Sequence, residues 1–397
     1  MAKSNSPSSP RTGPIRILQV LEATIGGTKR HLLDLCALLD PEQFHITVAC
    51  PTIRSEPHGD TSFVSDLLEA GISVEPVPLV RRIHPIEDAR SLWKLIRIVR
   101  RGRYDIIHAH SSKAGFIGRQ AALFDSRARV VYSPHGFYFL NFENRFKLTV
   151  FKFIERLAGL STDMLIALSR GEREAALREK IVAPKRLQLI ENGIAQVANV
   201  PRNEARSLLG VAQDIPVVGT ISRFTPQKAP MDIIEAVASL IQGRSNLQFL
   251  WFGDGELRQE VEAEVARRGL GANIRLLGYR SDARSLLPAL DVFILASRWE
   301  GLPYTIMETM DAGVPVVATD VIGTQDFIDS GRNGVLIPPG YPGRLASAVN
   351  DLLTRPEYAV MIANNAASDV GSRFNRAEMV RRTAAAYMGL AGHLIRG

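Results

Sequence analysis

The chain has 397 residues, 46% apolar and 22% charged, which is ordinary for a globular protein and leaves no apolar run near the ~20 residues that span a bilayer. One core rarely grows past ~250–300 residues, so the length predicts two domains. Net charge is +7 and uneven, with 28 Lys/Arg against 20 Asp/Glu in residues 1–200 and 20 against 21 in residues 201–397. A basic half points to an anionic partner (nucleic acid, phosphorylated substrate or membrane surface) or to scattered solvated charge.

The opening MAKSNSPSSPRTGP lacks the apolar stretch of a secretory signal, and its Ser/Pro content predicts a disordered tail over residues 1–14. From there short β-rich runs alternate with helical patterns. Strands are expected at 15–21, 45–50, 72–79, 105–111, 128–134, 163–169 and 187–192. In the first gap, TKRHLLDLCALL sets Leu32, Leu35, Cys36 and Leu39 on one helical face. Cys36 and Cys50 cannot make a disulfide framework and read as small buried thiols of a cytoplasmic protein. After a polar stretch near 195–214 the alternation resumes, with strands at 216–222, 247–253, 273–278, 291–297, 315–320 and 334–339 and helices from about 341. Such alternation predicts α/β architecture, two doubly wound parallel-sheet domains facing each other across a cleft. Ligands of these sheets sit beyond the carboxyl ends of strands, so motifs there matter most.

In the first half, IGGT (25–28) lies between strand and helix. Gly26 and Gly27 would let the backbone approach a ligand at the helix N-terminus, or simply make a tight loop. His108 and His110 share one side of a strand with zinc-like spacing, but no Cys/His cluster completes a site, so no metal is expected. His135 follows at the next strand end. ALSRG (167–171) misses the nucleophile elbow of serine hydrolases, because Ala167 replaces its first glycine. Phe146, Val150, Phe153 and Leu157 form an amphipathic stripe that reads as core. FYFLNF (137–142) fits a helix face poorly. With Arg145, Lys147 and Lys152 it is read as a surface for an anionic bilayer or a lipid-linked acceptor. Arg97, Arg100, Arg101 and Arg103 close a helix, where the dipole favours cations, and add to the same surface.

The second half is richer. SRFTPQKAP puts Arg223 and Lys228 at a strand's carboxyl end, where two cations could neutralise a diphosphate leaving group. FGDGELR carries Gly253 and Gly255 at another strand end, and LGYRSD, with Tyr279, ends the next and could offer backbone groups to a base edge. SRWEGLPYTIMETMDAGVPVVATD (297–320) reads as strand end, loop with Glu300, a helix opening at Pro303 and closing before Gly313, then strand. Glu308 lies on the second helical turn. The helix N-terminus around Thr305 offers unpaired N–H groups to a phosphate, flanked by two carboxylates that could hold hydroxyl groups on either side. That is the layout of a nucleotide sugar. Paired carboxylates also serve glycosidases, ~5–9.5 Å apart, but nothing else in the chain favours hydrolysis.

Together GTISRFTPQKAP, FGDGELR, LGYRSD, the 297–320 block and GRNGVLIPPG resemble the retaining glycosyltransferases of family 4, also called group 1. IGGTKRHLLDL, HAHSSKAGFIGRQAA and VYSPHGF resemble that family's first half, and the likeness runs over most of residues 15–340, closest to transferases of bacterial surface-polysaccharide assembly. The resemblance implies a GT-B architecture of two Rossmann-like domains, 15–200 on the acceptor side and 201–374 on the donor side, with the last helix (375–397) returning to the first. It implies that Arg223 and Lys228 bind the donor diphosphate, Glu300 the donor sugar and Glu308 the ribose. Gly26 and Gly27 would lie near donor phosphate and acceptor, and His135 by the reacting sugar carbon. It also implies retention of anomeric configuration without a bound metal, and the chain has no Asp-x-Asp pair. One departure is GTQD (323–326), with Asp326 where the family more often has Glu, so no role is assigned there.

The resulting expectation is a cytoplasmic enzyme, peripheral at the inner face of the plasma membrane. It needs no cofactor and moves a sugar from a nucleoside-diphosphate donor to a polyprenyl-diphosphate-linked saccharide. No nucleic-acid motif is present. The alternatives are a nucleotide-sugar epimerase of the same two-domain plan and a non-catalytic nucleotide-sugar-binding protein.

Overall fold

A computed structural model describes residues 13–24, 26–52, 62–80, 82–125, 127–141, 144–195 and 198–396. The tail expected over 1–14 lies outside them apart from Gly13 and Pro14, as do Ile25, Phe142 and residues 196–197 of the segments discussed above. The chain divides into two compact units. Among the described residues, one unit takes those of 13–52, 62–190 and 377–396, and the other those of 191–376. The first division thus falls about ten residues before the position near 200 that the sequence suggests.

The first unit begins with β1 (Ile15–Val20), α1 (Gly26–Leu38), β2 (Phe44–Cys50), α2 (Phe63–Glu69) and β3 (Ser73–Pro76). It continues with α3 (Pro85–Gly102), β4 (Ile106–His110), α4 (Ser112–Ala122) and β5 (Arg129–Ser133), then α5 (Arg145–Gly159), β6 (Met164–Ala167), α6 (Arg170–Arg178) and β7 (Leu187–Leu189). The second unit starts with α7 (Arg202–Leu208), β8 (Val217–Ile221), α8 (Pro230–Gly243), β9 (Gln248–Phe252), α9 (Arg258–Arg267) and β10 (Ile274–Gly278). It goes on through β11 (Val292–Leu295), α10 (Tyr304–Asp311), β12 (Val316–Thr319), α11 (Ile322–Gln325) and β13 (Val335–Ile337) to α12 (Pro342–Thr354) and α13 (Pro356–Arg373). The final helix is α14 (Arg376–Arg396).

Both sheets are parallel, with strand orders β3-β2-β1-β4-β5-β6-β7 and β10-β9-β8-β11-β12-β13. Central strands such as Val292–Leu295 are unbroken apolar runs, buried along their whole length because helices cover both faces. In each sheet the order reverses once, between β1 and β4 and between β8 and β11. A crevice opens at the carboxyl edge at each of these points, and this is where such sheets bind ligands.

Three local features differ from the sequence reading. The polar stretch near 195–214 contains the helix α7. Its Arg206 is buried, satisfied by the carbonyl oxygens of Ala289 (3.0 Å), Gln213 (2.7 Å) and Ile215 (3.0 Å) and by Asp291 (2.9 Å), so a cation of this polar stretch is a core hub. The FYFLNF segment forms a 3-10 turn, Tyr138–Asn141, that turns Phe137 and Phe139 into the core, stacked 4.9 Å apart, and leaves Tyr138 exposed. Phe137 and Phe139 are therefore not available to a membrane surface, and Lys152 beside Phe139 is paired with Glu179 at 2.8 Å. Conversely Phe146, Val150, Phe153 and Leu157, which read as core, are exposed.

The inner side of α5 explains that inversion. It is made of the half-buried Leu148 and Phe151, packed against the core, and of the buried Glu155, Ala158 and Gly159, so α5 carries a second apolar side. A Cβ on Gly159 would meet the Ile181 carbonyl oxygen at 1.8 Å. Gly159→Ala is therefore expected to cost about 1–3 kcal/mol or more by overpacking. A lowered urea midpoint with an unchanged slope would show it; an unchanged midpoint would mean that α5 does not sit this close.

Candidate active site

In the second unit the sequence-predicted residues gather at the β8/β11 reversal. β8 delivers Ser222 and Arg223 beyond its end, followed by a 3-10 turn, Pro226–Lys228, that carries Lys228. β11 delivers Ser297 and the loop holding Glu300. The two loops are clamped together: the Gln227 side chain donates to the Trp299 carbonyl at 2.9 Å, and the Arg298 N–H donates to the Gln227 carbonyl at 2.8 Å. This brings the Lys228 ammonium onto the Glu300 carboxylate, which also accepts from the Ser297 hydroxyl. Both side chains are largely enclosed, 14% and 5% exposed. Withdrawing such a pair from water is costly unless extra hydrogen bonds complete it, and Ser297 supplies one.

Glycines permit this nesting. Gly253, at φ 147°, lies so close to the loop after β8 that a Cβ would meet the Ser222 carbonyl oxygen at 2.0 Å; one on Gly255 would meet that of Phe224 at 2.5 Å. A Cβ on Gly323, at the start of α11, would meet the Gly301 carbonyl oxygen at 2.7 Å and the Glu300 Cβ at 2.9 Å. Gly253 also donates to the Gly278 carbonyl at 2.7 Å, which sets Tyr279, half exposed, on the same edge.

After Glu300, Pro303 occupies the N-cap of α10, one residue before the helix that the sequence suggested would begin there. Thr305 stands in the first turn, and Glu308 one turn on. Gly313, at φ 69°, closes the helix in the left-handed conformation that glycine favours. The Arg284 guanidinium lies 3.8 Å from Glu308 and 3.4 Å from Asp311, orienting the carboxylate. Arg284, Ser297 and Gln227 were missed in the sequence. Gln227 and Arg284 act through partners in other segments, and Ser297 through Glu300 three residues on.

The first unit has a different chemistry at its β1/β4 reversal. Gln19 and His108 are register partners there. The Gln19 carbonyl oxygen lies 2.7 Å from His110 Nε2, and its amide nitrogen donates to the Tyr387 hydroxyl of α14 at 3.1 Å. His110 Nδ1 lies 3.0 Å from His135 Nε2, Tyr387 lies 2.6 Å from His108 Nδ1, and Ser133 lies 2.9 Å from His108 Nε2. An amide oxygen only accepts, so His110 carries its proton on Nε2 and accepts on Nδ1. His135 then donates through Nε2, leaving Nδ1 as its basic nitrogen. Burial first, then the neighbouring imidazoles, pushes His108, His110 and His135 well below the usual value of 6.5. All three are neutral at pH 7.

His135 itself is partly open and stands at φ 50°, strained for a non-glycine residue. The turn is pinned by the buried Glu172 of α6, which accepts from the Gly136 N–H and from Leu168 N–H at 2.9 Å. His31, one turn into α1 from Gly27, meets His135 with ring centroids 5.0 Å apart, so α1 joins the cluster through His31. Among the described residues, His31, His110 and His135 are the group that could hold a metal ion, with ring nitrogens within 4.8 Å of one another. His110 would have to give up a hydrogen bond to serve. Cys36 and Cys50 are buried free thiols, both pushed up to about 12 by burial.

Residues 215–355 match the family described as glycosyl transferases group 1, and residues 25–196 match glycosyltransferase family 4. The chain is 32% identical over 332 residues to the UDP-Gal:alpha-D-GlcNAc-diphosphoundecaprenol alpha-1,3-galactosyltransferase of Escherichia coli, covering 81% of this chain and 84% of that protein. It is 26% identical over 327 residues to a putative glycosyltransferase of Bacillus subtilis, covering 80% and 81%. Anabaena HepE in complex with UDP-glucose superposes with a TM-score of 0.78 at 24% identity, over 94% of this chain and 100% of that one. WaaG, a glycosyltransferase involved in lipopolysaccharide biosynthesis, superposes with a TM-score of 0.73 at 19% identity, over 94% and 100%. These structures speak to the fold, which is GT-B.

The histidine network makes stability depend on pH. Unfolded, His108 and His110 take up protons below pH 6.5; folded, they resist. The unfolded state then binds more protons, so stability falls as pH drops below 6.5, by up to about 1.4 kcal/mol per pH unit for each ring. Denaturant midpoints measured from about pH 7 down to about pH 5.5 should fall, and His108→Gln should flatten that slope. An equal slope in the variant would contradict the assignment of neutral buried rings.

Proposed function

The chain belongs to the glycosyltransferases of group 1 and family 4, and from that premise we propose that it transfers a sugar, with retention at the anomeric carbon, from a nucleoside-diphosphate donor to a saccharide carried on a polyprenyl diphosphate. The observation that carries this reading is the clamped pair of strand-end loops at the β8/β11 reversal, which joins Lys228 to Glu300 just ahead of the α10 N-terminus. The E. coli relative is named for a UDP-sugar donor and a diphosphoundecaprenol acceptor, and HepE was solved with UDP-glucose. Both support this choice of substrates.

In this proposal the donor diphosphate lies against Arg223, Lys228 and the first-turn amides near Thr305. Departure of the sugar leaves charge on the β-phosphate, and preorganised cations and N–H dipoles stabilise that charge as it develops. No metal is then needed. Glu300, released from part of its ion pair as Lys228 turns to phosphate, holds sugar hydroxyls, and Glu308, aimed by Arg284, holds the ribose. Gly253 and Tyr279 line the nucleotide's path. In the first unit, Gly26, Gly27 and His135 are assigned to the acceptor side, where His135 presents a neutral ring. Retention is explained by departure and attack on one face, with the leaving diphosphate oxygen taking the acceptor hydroxyl's proton. The reaction is placed at the inner face of the plasma membrane. Two free buried thiols fit a reducing compartment, and no described helix is long and apolar enough to cross a bilayer.

The test is kinetic and runs in the presence of a chelator, with UDP-sugars and a short-chain diphosphate-linked acceptor. Arg223→Ala is expected to lower kcat by about 10²–10³, the usual loss for one charge-stabilising donor. Glu308→Ala should instead weaken UDP binding about tenfold, by the loss of charged hydrogen bonds. Activity that collapses with the chelator would remove the metal-free reading. A donor sugar that changes configuration without any acceptor would favour the epimerase. Variants that leave both quantities unchanged would refute the site.

A further inference from the structure

Four imidazoles gather in the first unit from three separate segments. His108 and His110 come from β4, His135 from the turn after β5 and His31 from α1. In the sequence His108 and His110 are the spaced pair, and no further ligand is legible beside them. The structure regroups them. His108 has a hydroxyl group at each ring nitrogen, Tyr387 at 2.6 Å and Ser133 at 2.9 Å, so neither nitrogen is open to an ion. It stacks instead on His110, with ring centroids 4.0 Å apart, and steadies that ring. His31, buried on α1, completes the set in its stead. One ring nitrogen each of His31, His110 and His135 lie within 4.8 Å of one another.

The three rings already stand at the spacing of a tetrahedral site. Zinc binds an imidazole nitrogen at ~2.0–2.1 Å, so each ring centre lies about 3.2 Å from the ion and two such centres lie about 5.2 Å apart. The centroid separations here are 5.0 Å for His31–His135, 5.2 Å for His110–His135 and 5.7 Å for His31–His110. Loading therefore asks the rings to turn and leaves the backbone in place. One ligand is oriented in advance. His110 gives its Nε2 proton to the Gln19 side-chain oxygen at 2.7 Å, which leaves Nδ1 as its lone pair, 3.0 Å from His135 Nε2. Metal-bound histidines characteristically donate their other N–H in this way, which fixes tautomer and ring plane. In the metal-free protein a single proton, on His135 Nε2, fills the gap between the two nitrogens. Moving it to Nδ1 of the same ring, by way of solvent at its partly open side, frees Nε2 with no net gain or loss of protons. The turn that Glu172 pins holds His135 at φ 50°, so the fold maintains a strained backbone that keeps this ring at the cluster.

We propose that His31, His110 and His135 bind a zinc ion, and that the bound ion inhibits the enzyme by holding His135 away from the acceptor. Imidazole suits zinc, and a set of three nitrogens without an oxygen ligand discriminates against magnesium and calcium. Burial keeps His110 and His135 neutral, so they ligate without first losing a proton. Three protein ligands leave a fourth position for solvent, the open form of a zinc site. The inhibitory part rests on the reading of His135 as an acceptor-side group. Binding is measured without donor or acceptor, so each part can fail alone. An ion that opposes the reaction is also compatible with transfer that needs no metal.

The experiment titrates the metal-stripped full chain with Zn²⁺ by calorimetry and with Co²⁺ by visible absorption. One Zn²⁺ per chain is expected, with a raised thermal midpoint, because a ligand of the folded state stabilises it by mass action. Co²⁺ should give the intense visible bands of a four-coordinate site, and Mg²⁺ should not bind. His31→Ala should weaken Zn²⁺ binding at least tenfold, and Gln19→Leu, which removes the acceptor behind His110, by about 10–100-fold. His45→Ala, at an exposed histidine of β2, should bind as wild type does. In transfer assays Zn²⁺ should inhibit wild type, a chelator should restore the rate, and His31→Ala should resist the inhibition. Wild type that takes up no Zn²⁺ would overturn the proposal whatever the variants do. So would a cooperatively folded His31→Ala that binds as tightly as wild type, or binding lost in His45→Ala, which would place the ion on surface histidines. Zinc held at this set without effect on transfer would overturn the inhibitory part.

Discussion

The second unit's site depends on close approach of backbone to backbone. Four strand-end loops, after β8, β9, β11 and β12, meet at one sheet edge, and three glycines occupy the contacts where a Cβ would collide with a neighbour. Gly253 meets Ser222, Gly255 meets Phe224, and Gly323 meets Gly301 and Glu300. Without that nesting the loop carrying Lys228 could not reach the loop carrying Glu300. The ion pair is therefore a consequence of loop packing, and the loop packing is a consequence of parallel-sheet topology, which puts every such loop on the same edge. The arrangement stores a cation beside an acid, where an arriving anion can compete for the cation.

The first unit solves its own crevice without net charge. Gln19, His108, His110, His135 and Tyr387 form a chain of neutral donors and acceptors at the β1/β4 reversal, and burial keeps the imidazoles uncharged. Every member orients the next, so the proton positions on His135 follow from an amide two residues away in the relay. α14 contributes Tyr387 to this relay, which gives the return of the last helix to the first unit a chemical role beside its structural one. The two crevices thus differ as a diphosphate and a sugar differ: one concentrates charge, the other presents oriented neutral groups.

Much of this was legible in the sequence, for physical reasons. The central strands announce themselves as short apolar runs because both of their faces are buried, as in Val292–Leu295. Arg223, Lys228 and Glu300 are legible because each stands in the loop that follows a strand end, and Glu308 because it lies on the helix that this loop opens. What stayed hidden depends on contacts between distant segments. Gln19 and Tyr387 are 368 positions apart, and nothing local marks either. Glu172 has the spacing of a capping box with Ser169, yet its carboxylate reaches the Gly136 turn instead. Arg206 reads as surface because its carbonyl partners cannot be seen from composition. The α5 stripe misleads most. Helical periodicity reveals apolar faces without revealing which is inward, and here Leu148 and Phe151 share the inward side with the Glu155–Arg119 pair and Gly159.

The central claim is that a nucleoside diphosphate binds at the carboxyl edge of the second sheet, gripped by Arg223, Lys228 and the opening amides of α10. A crystal structure of the protein soaked with UDP tests it most directly. The account predicts pyrophosphate density within hydrogen-bonding distance of both cations and of the α10 first turn, with the ribose hydroxyls on Glu308. Density at another place in the chain, or an undisturbed Lys228–Glu300 pair with no nucleotide beside it at saturating UDP, would contradict it.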